Sequence, residues 1–326
     1  MRLTPLPAFD NNYIWTLIAP DGRAIIVDPG QALPILEAHS KGLIPTAILL
    51  THHHADHIGG VPELLERWPT LPVYAPHDTR IALNYHRIGE GDSLNILGMR
   101  FQVIHTPGHT HSHLTFIGND LLFCGDTLFS LGCGQIFEGT PTQMLASLQR
   151  LAALPIQTRV CCGHEYTLSN AAFALHVDPT NTALQKRRQQ ANAMRLAGLP
   201  TLPISLESEL NTNPFLRTAA PTIHAATATH LQRTPIDEVE VFATLRHWKN
   251  NFPIKTSPDV LVLLVLLVLL VLLVLLVLLV LLVLLVLLVL LVLLVLLVLL
   301  VLLVLLVLLV LYRIEKLQAI HPGLDL

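Results

Sequence analysis

Residues 1 to about 165 predict an α/β fold in which sheets are covered by helices. Short apolar runs of strand character alternate there with segments of helical periodicity. From Tyr166 the pattern becomes helical, which predicts a second, helical domain at 166–257. A third feature stands apart from both: residues 260–311 contain only Val and Leu, inside a segment 258–326 that ends in a short polar tail.

The elements follow in order. Ile14 to Ala19 and Ala24 to Asp28 predict a hairpin across Pro20-Asp21-Gly22. Ala47-Ile48-Leu49-Leu50 is a run of the kind that forms a buried strand. Gly59-Gly60 permits tight backbone geometry, and Val61 to Trp68 then predicts a helix, with Pro62 tolerated in its first turn. Phe101–Ile104, Leu121–Cys124 and Arg159–Cys162 are further short strands. Thr140-Pro141-Thr142-Gln143 is a capping box that starts a helix to about Ala152. Asp178-Pro179-Thr180 predicts the opening of a helix that runs to about Ala197 and stops at Gly198. Within it, Gln185 to Gln190 reads as a solvated face. Pro235 to about Lys249 predicts another helix. Asp237, Glu238 and Glu240 lie early in it and Arg246 and Lys249 late, which suits the helix dipole.

The chemistry concentrates in four stretches. These are Thr51-His52-His53-His54-Ala55-Asp56-His57, Thr106-Pro107-Gly108-His109-Thr110, Gly125-Asp126-Thr127 and Cys162-Gly163-His164-Glu165. Each follows a short apolar strand, and strand ends hold ligands rigidly. His52 and His54 are two apart, so on a helix they would point to nearly opposite sides. They can share a metal only from a strand end or loop. Together the imidazoles and carboxylates suffice for two metal ions, and this donor set suits zinc, iron or manganese. His53, His111 and His113 are left outside the ligand set. His39, His77, His86, His176, His224 and His230 read as ordinary surface or core residues.

Composition narrows the class. The formal net charge is −3 over 326 residues, so no basic field invites nucleic acid. Cys124, Cys133, Cys161 and Cys162 sit beside one another or in strands, which argues for core packing and a reducing compartment rather than a disulfide framework. The N-terminus lacks a long apolar stretch and carries Asp10, so no secretory signal is read there and a cytoplasmic catalytic unit is expected.

The run T-H-H-H-A-D-H, followed by P-G-H-T, C-G-D-T-L-F and C-G-H-E-Y-T, resembles the metallo-β-lactamase superfamily. Within it, P-A-F-D-N-N-Y-I-W and G-C-G-Q-I-F-E-G-T are similar to glyoxalase II, the hydroxyacylglutathione hydrolases. The resemblance runs from Met1 to about Phe252. It implies an αββα sandwich with the metals at one edge between the sheets, and a helical C-terminal domain. It implies that His52, His54 and His109 bind one metal, that Asp56, His57 and His164 bind the other, and that Asp126 bridges them. It also implies the substrate, an S-(2-hydroxyacyl)glutathione thioester of methylglyoxal detoxification, gripped at positions matching Tyr166, Asn170, Arg246 and Lys249. The family usually has Lys or Arg where Gln135 stands, and Phe137 replaces a Tyr of some members, so one carboxylate contact is expected to be weaker.

Two divalent ions, zinc in the first instance, would lower the pKa of a shared water and polarise a carbonyl. Asp56 and Asp126 would flank that nucleophile as the catalytic carboxylates. No G-x-S-x-G elbow is present. Two alternatives share part of the pattern. Persulfide dioxygenases use a single iron and lack the long helical segment; a membrane-anchored protein would make the Val/Leu tract its point. A run of 18 or more apolar residues normally reads as a transmembrane helix. Here, apart from its first two residues, the tract is a strict Val-Leu-Leu repeat, which reads as the expansion of a short unit. Every candidate ligand precedes it, so a monomeric catalytic unit that works without it is expected.

Overall fold

Along residues 12–18, Tyr13, Trp15 and Leu17 point into one core and Ile14 into another. A strand buried on both faces belongs inside a layered structure. The computed structural model, which describes residues 1–253 and 258–320, shows those layers. Arg2–Ala8 (β1), Asn12–Ile18 (β2), Arg23–Val27 (β3), Ile44–Leu49 (β4), Val73–Pro76 (β5) and His86–Ile88 (β6) form one sheet in that order. Pairing is antiparallel from β1 to β3 and parallel from β3 to β6. The second sheet is built from Ser93–Ile96 (β7), Met99–His105 (β8), Leu114–Gly118 (β9) and Leu121–Gly125 (β10). Leu128–Phe129 (β11) and Gly132–Cys133 (β12) make a small separate hairpin. Arg159–Cys162 (β13) and Ile204–Ser205 (β14) complete the second sheet, whose order is β14-β13-β10-β9-β8-β7.

Trp15, Ile25, Val27, Phe101, Phe116 and Phe123 belong to the larger apolar cluster, to which both sheets contribute. Helices cover the outside. Leu33–Ser40 (α1), the short Ala55–Ile58 (α2) and Val61–Arg67 (α3) follow strands of the first sheet; Ile35, Val61 and Leu64 pack with Ile14, Ile26 and Ile48. Pro141–Ala152 (α4) buries Met144, Leu148 and Leu151 in the larger cluster, and its capping box is formed at both hydrogen bonds. This is the expected αββα sandwich.

Thr167–Val177 (α5), Thr182–Leu196 (α6), Leu206–Thr212 (α7), Pro221–Leu231 (α8) and Glu238–Asn250 (α9) form the helical part. Three expectations are corrected here. The cap of α6 is Asn181, whose Oδ1 accepts the Leu184 N–H at 3.0 Å; Asp178 is instead committed to Arg217. The cap of α9 is Asp237, which accepts the Glu240 N–H at 2.8 Å and leaves Pro235 and Ile236 outside the helix. The Gln185–Gln190 face is not wholly solvated. Arg187 is buried and donates to Ser130 Oγ at 3.2 Å and to the Thr201 carbonyl at 2.9 Å.

The β11–β12 hairpin is held from the helical side. Glu209 is fully buried and accepts from Leu131 N–H at 2.7 Å, Ser130 Oγ at 2.9 Å and Asn213 Nδ2 at 3.0 Å. Asn213 donates in turn to the carbonyls of Phe129 and Gly132. Burial pushes the Glu209 carboxyl up, and its three donors oppose that.

The chain divides into two compact units, Met1–Ile254 and Lys255–Leu326. Among the described residues the second contains one helix, Pro258–Ile320 (α10). From residue 265 to 311 every Val and Leu of it is 48–59 % exposed. The expected junction at residues 254–257 and the end of the polar tail at 321–326 lie outside the described residues.

Replacing Glu209 by Ala strands the Leu131 N–H and the Ser130 hydroxyl in the buried interior. That is expected to cost about 3 kcal/mol of stability, read as a shift of the urea unfolding midpoint. A midpoint at the wild-type value would show that water replaces the carboxylate at no cost.

Candidate metal centre

The ligand candidates arrive from the ends of both sheets. His52 and His54 follow β4, and Asp56 and His57 ride on the single turn of α2, so part of the expected loop is helical. His109 follows β8, Asp126 follows β10 and His164 follows β13. Close backbone approach makes the convergence feasible. Gly125 has φ +44°, and a Cβ on it would lie 2.4 Å from Thr51 Oγ1. A Cβ on Gly163 would lie 2.7 Å from Asp126 Oδ1 and from the His57 ring.

Two groups result. His52 Nε2 and His109 Nε2 each lie 3.0 Å from His54 Nδ1. On the other side, His57 Nε2 and His164 Nε2 are 3.3 Å apart, and Asp56 Oδ2 is 3.5 and 3.4 Å from them. Asp126 reaches both groups. Its Oδ1 is 3.4 Å from His57, and its Oδ2 is 3.2 Å from His164 and 3.6 Å from His109.

Most outer nitrogens are engaged. His57 Nδ1 donates to Asp28 Oδ2 at 3.0 Å, His109 Nδ1 to the Gln135 carbonyl at 2.7 Å, and His164 Nδ1 to Asn11 Oδ1 at 2.8 Å. Thr51 gives its hydroxyl proton to Asp28, so its oxygen accepts from His52 Nδ1 at 3.0 Å. Such outer bonds fix the tautomer and turn a lone pair inward. In the His52, His54 and His109 group, inward lone pairs 3.0 Å apart repel each other unless a cation lies between them. Two nitrogens on one tetrahedral zinc would be about 3.3 Å apart. Asp126 Oδ1 is also buried without a hydrogen-bond partner. The residues therefore fit a pair of metal ions. Asp28, His52 and His57 also approach one another closely, but Asp28 is already spent on Thr51 and His57.

Charge is distributed unevenly. Burial, and then neighbouring imidazoles, push His54 down to about 4, and burial lowers His52 and His109 as well. Burial also opposes charge on His164, yet Asp126 and Asp56 override it and raise that imidazole to about 9. Burial would raise Asp126, but His164 and His57 hold its carboxyl well below the ordinary range.

A pocket of about 380 Å³ opens onto this cluster. It is lined by His54, Asp56, His109, Asp126, His164 and, among the expected substrate contacts, Gln135, Phe137 and Tyr166. Tyr166 stacks on His164 with centroids 4.7 Å apart. The remaining contacts lie elsewhere. Asn170 is buried and donates to the Ser130 carbonyl at 3.0 Å. Arg246 donates to the Cys133 carbonyl at 2.7 Å, and Lys249 donates to the Ser169 carbonyl at 3.1 Å. Burial, and then Arg246, pull the Lys249 amine down to about 8.

Sequence reasoning overlooked the supports. Asp28-Pro29-Gly30 repeats the pattern of a strand followed by a polar turn and was a readable signal. His113, set aside as a spare imidazole, is fully buried; its Nε2 accepts the Asp126 N–H at 3.1 Å. It fixes the backbone of the bridging candidate.

Residues 14–164 match the family model of the metallo-beta-lactamase superfamily, and residues 165–252 match that of the hydroxyacylglutathione hydrolase C-terminus. The hydroxyacylglutathione hydrolase of Xylella fastidiosa (strain M23) is 99% identical over 258 residues, covering 79% of this chain and 100% of that protein. That of Xanthomonas axonopodis pv. citri (strain 306) is 64% identical over 253 residues, covering 77% and 99%. Among solved structures, ETHE1 from Myxococcus xanthus matches with a TM-score of 0.54 at 23% identity, over 79% of this chain and 95% of that one, which speaks to the fold alone. The two hydroxyacylglutathione hydrolases support the thioester hydrolase expected above, not the alternatives. The chain belongs to the hydroxyacylglutathione hydrolase family, within the metallo-β-lactamase superfamily.

Proposed function

We propose that the chain hydrolyses S-(2-hydroxyacyl)glutathione, typically S-lactoylglutathione, to glutathione and a 2-hydroxy acid such as D-lactate. The observation that carries this is Asp126, set between three imidazoles on one side and Asp56, His57 and His164 on the other. His52, His54 and His109 would hold one divalent ion, Asp56, His57 and His164 a second, and Asp126 would join both. Zinc is the first choice for this donor set, with iron and manganese also compatible. When bound, the ions supply an activated water at neutral pH and a Lewis acid for the thioester carbonyl.

The chain's own groups do the rest. Asp56 is anchored by Asn12 Nδ2 at 3.0 Å and partly open to the pocket, so it can orient the attacking water. The thiolate of glutathione leaves without needing a proton. Tyr166, Gln135 and Phe137 line the pocket beside the candidate ligands and would face the bound thioester. Asn170, Arg246 and Lys249 would serve the glutathione moiety from the helical part. Arg246 and Lys249 lie one helical turn apart on α9.

This reading divides the chain into a metal-binding domain at 1–165, a glutathione-binding domain at 166–257 and the repeat-bearing segment at 258–326. The boundary between the two family matches supports the first division. In this reading the catalytic unit is a monomer. Four buried free cysteines favour the reducing cytoplasm. The stretch Val265–Lys316 of α10 is long and apolar enough to cross a membrane by length and composition, so any membrane association would run through that segment.

Asp126→Ala and His54→Ala are expected to lower kcat/KM for S-lactoylglutathione by more than about a hundredfold and to reduce the metal bound per chain. Full activity with two metals in either variant would sink the assignment. Replacing Arg246 and Lys249 together by Ala should raise KM for glutathione thioesters about tenfold and leave simple acyl thioesters nearly unaffected; equal effects would instead mark lost stability. Truncation after Ser257 should keep kcat/KM within a few fold and improve solubility. Loss of metal or turnover on truncation would make the repeat part of the working fold.

A further inference from the structure

We propose that Asp78, Arg80 and Glu138 form an ionic clasp that holds Phe137 at the mouth of the metal centre and thereby sets how tightly thioester substrates bind. The proposal rests on the thioesterase reading for its kinetic consequence, but not for its structural one.

Phe137 is 61 % exposed, yet its ring sits 5.2 Å from His109 and 5.6 Å from His54, edge-on to both. A ring so exposed is not fixed by burial, so its backbone must be held by something else. The next residue is Glu138. Its carboxylate accepts from Arg80 through both terminal nitrogens, one of these bonds being 3.2 Å, and from the His111 N–H at 2.8 Å. The same guanidinium grips Asp78 in a fork, with Nε to Oδ1 at 2.8 Å and Nη2 to Oδ2 at 2.7 Å. Asp78 is buried and also accepts from Ser112 Oγ at 2.7 Å. Arg80 holds Glu138 down to about 2, so the carboxylate is charged at every working pH.

The clasp thus ties the segment bearing Gln135 and Phe137 to two others, Asp78–Arg80 and His111–Ser112. His53 lies behind it, 3.6 Å from both carboxylates, on the loop that carries His52 and His54. Two weaker backbone bonds, from Phe137 N–H to the His109 carbonyl at 3.2 Å and from Gly139 N–H to the Gly108 carbonyl at 3.1 Å, complete the attachment. None of Asp78, Arg80 and Glu138 touches the pocket, so they act as positioning residues. A mouth ordered in advance spares the substrate the cost of ordering it, and the saving falls on binding rather than on the chemical step.

The test uses the metal-loaded full-length protein. Arg80→Met and Glu138→Gln should each raise KM for S-lactoylglutathione about threefold to tenfold, with kcat and metal content nearly unchanged. Arg80→Lys, which keeps the charge and loses the fork, should fall between. Phe137→Ala should raise KM too, and adding it to Glu138→Gln should bring no further rise, because both remove one ordered wall. Hydrogen exchange at the Phe137 and Gly139 amides should quicken in the Arg80 and Glu138 variants. A wild-type KM in both single variants, multiplying effects of Phe137→Ala and Glu138→Gln, or unchanged exchange at Phe137 would each overturn the clasp. If the wild-type protein turned over no glutathione thioester, the reaction reading would fail, and exchange at Phe137 would still decide the clasp.

Discussion

The convergence of imidazoles and carboxylates on one small space is the constraint on which the rest of this structure depends. These groups meet at the floor of the pocket, most of them buried, where their electrostatics are stronger than in water. The fold makes that tolerable by giving most rings an outward partner. Asp28 serves His57, the Gln135 carbonyl serves His109, Asn11 serves His164 and Thr51 serves His52. Each partner sits in a turn just beyond a strand or beside the neighbouring sheet. The rigidity of two sheets is thus converted into the direction of individual nitrogens. Packing alone would not demand glycine at 125 or 163; the closeness of Thr51, His57 and Asp126 does.

The two halves of the centre are electrostatically unlike. The His52, His54 and His109 side is kept neutral by burial, whereas the His57 and His164 side is dominated by Asp56, Asp126 and Asp28. Asp126 stands where the two meet, and His113 pins its backbone from behind. The helical part reaches the same place indirectly. Glu209 and Asn213 hold the β11–β12 hairpin, which supplies Phe129 to the pocket wall, and Asn170 holds its Ser130 carbonyl. Its contribution to the site is therefore architectural.

What could be read from the sequence follows from which signals are local. Strands of four or more apolar residues and the Thr140 capping box are written in neighbouring residues, and the structure contains them. The grouping of His52, His54, Asp56 and His57 was legible because all four lie in one run. The support from His113 was not, and Asp28 was legible only as a polar turn after a strand, since what each of them holds exists only once β3, β4 and β10 lie side by side. Arg187 misled for the same reason. Its neighbours in sequence are polar, but its partners, Ser130 and the Thr201 carbonyl, come from elsewhere in the chain. Helix starts at Asn181 and Asp237 were missed by three and two residues because Asp178 and Pro235 are equally good local signals, and tertiary commitments decided between them.

The repeat helix obeys a different logic, set by period alone. A three-residue repeat on a helix of 3.6 residues per turn advances by about 300° per unit, so Val positions wind round the axis and return to the same side only about every 18 residues. A coiled-coil seam needs an apolar period near 3.5 that keeps one side facing a partner. Here Val and Leu are almost equally exposed on every side, and no stripe is distinguished. Such a surface offers a protein partner no register to read; what it favours is an apolar surrounding, or copies of itself without fixed alignment. At 1.5 Å per residue its 52 Val and Leu residues span about 78 Å, against a hydrocarbon core of about 30 Å, so one straight crossing would leave most of the tract outside the lipid. Length and symmetry together separate this segment from the logic of the catalytic unit, in which nearly every buried polar atom has one assigned partner.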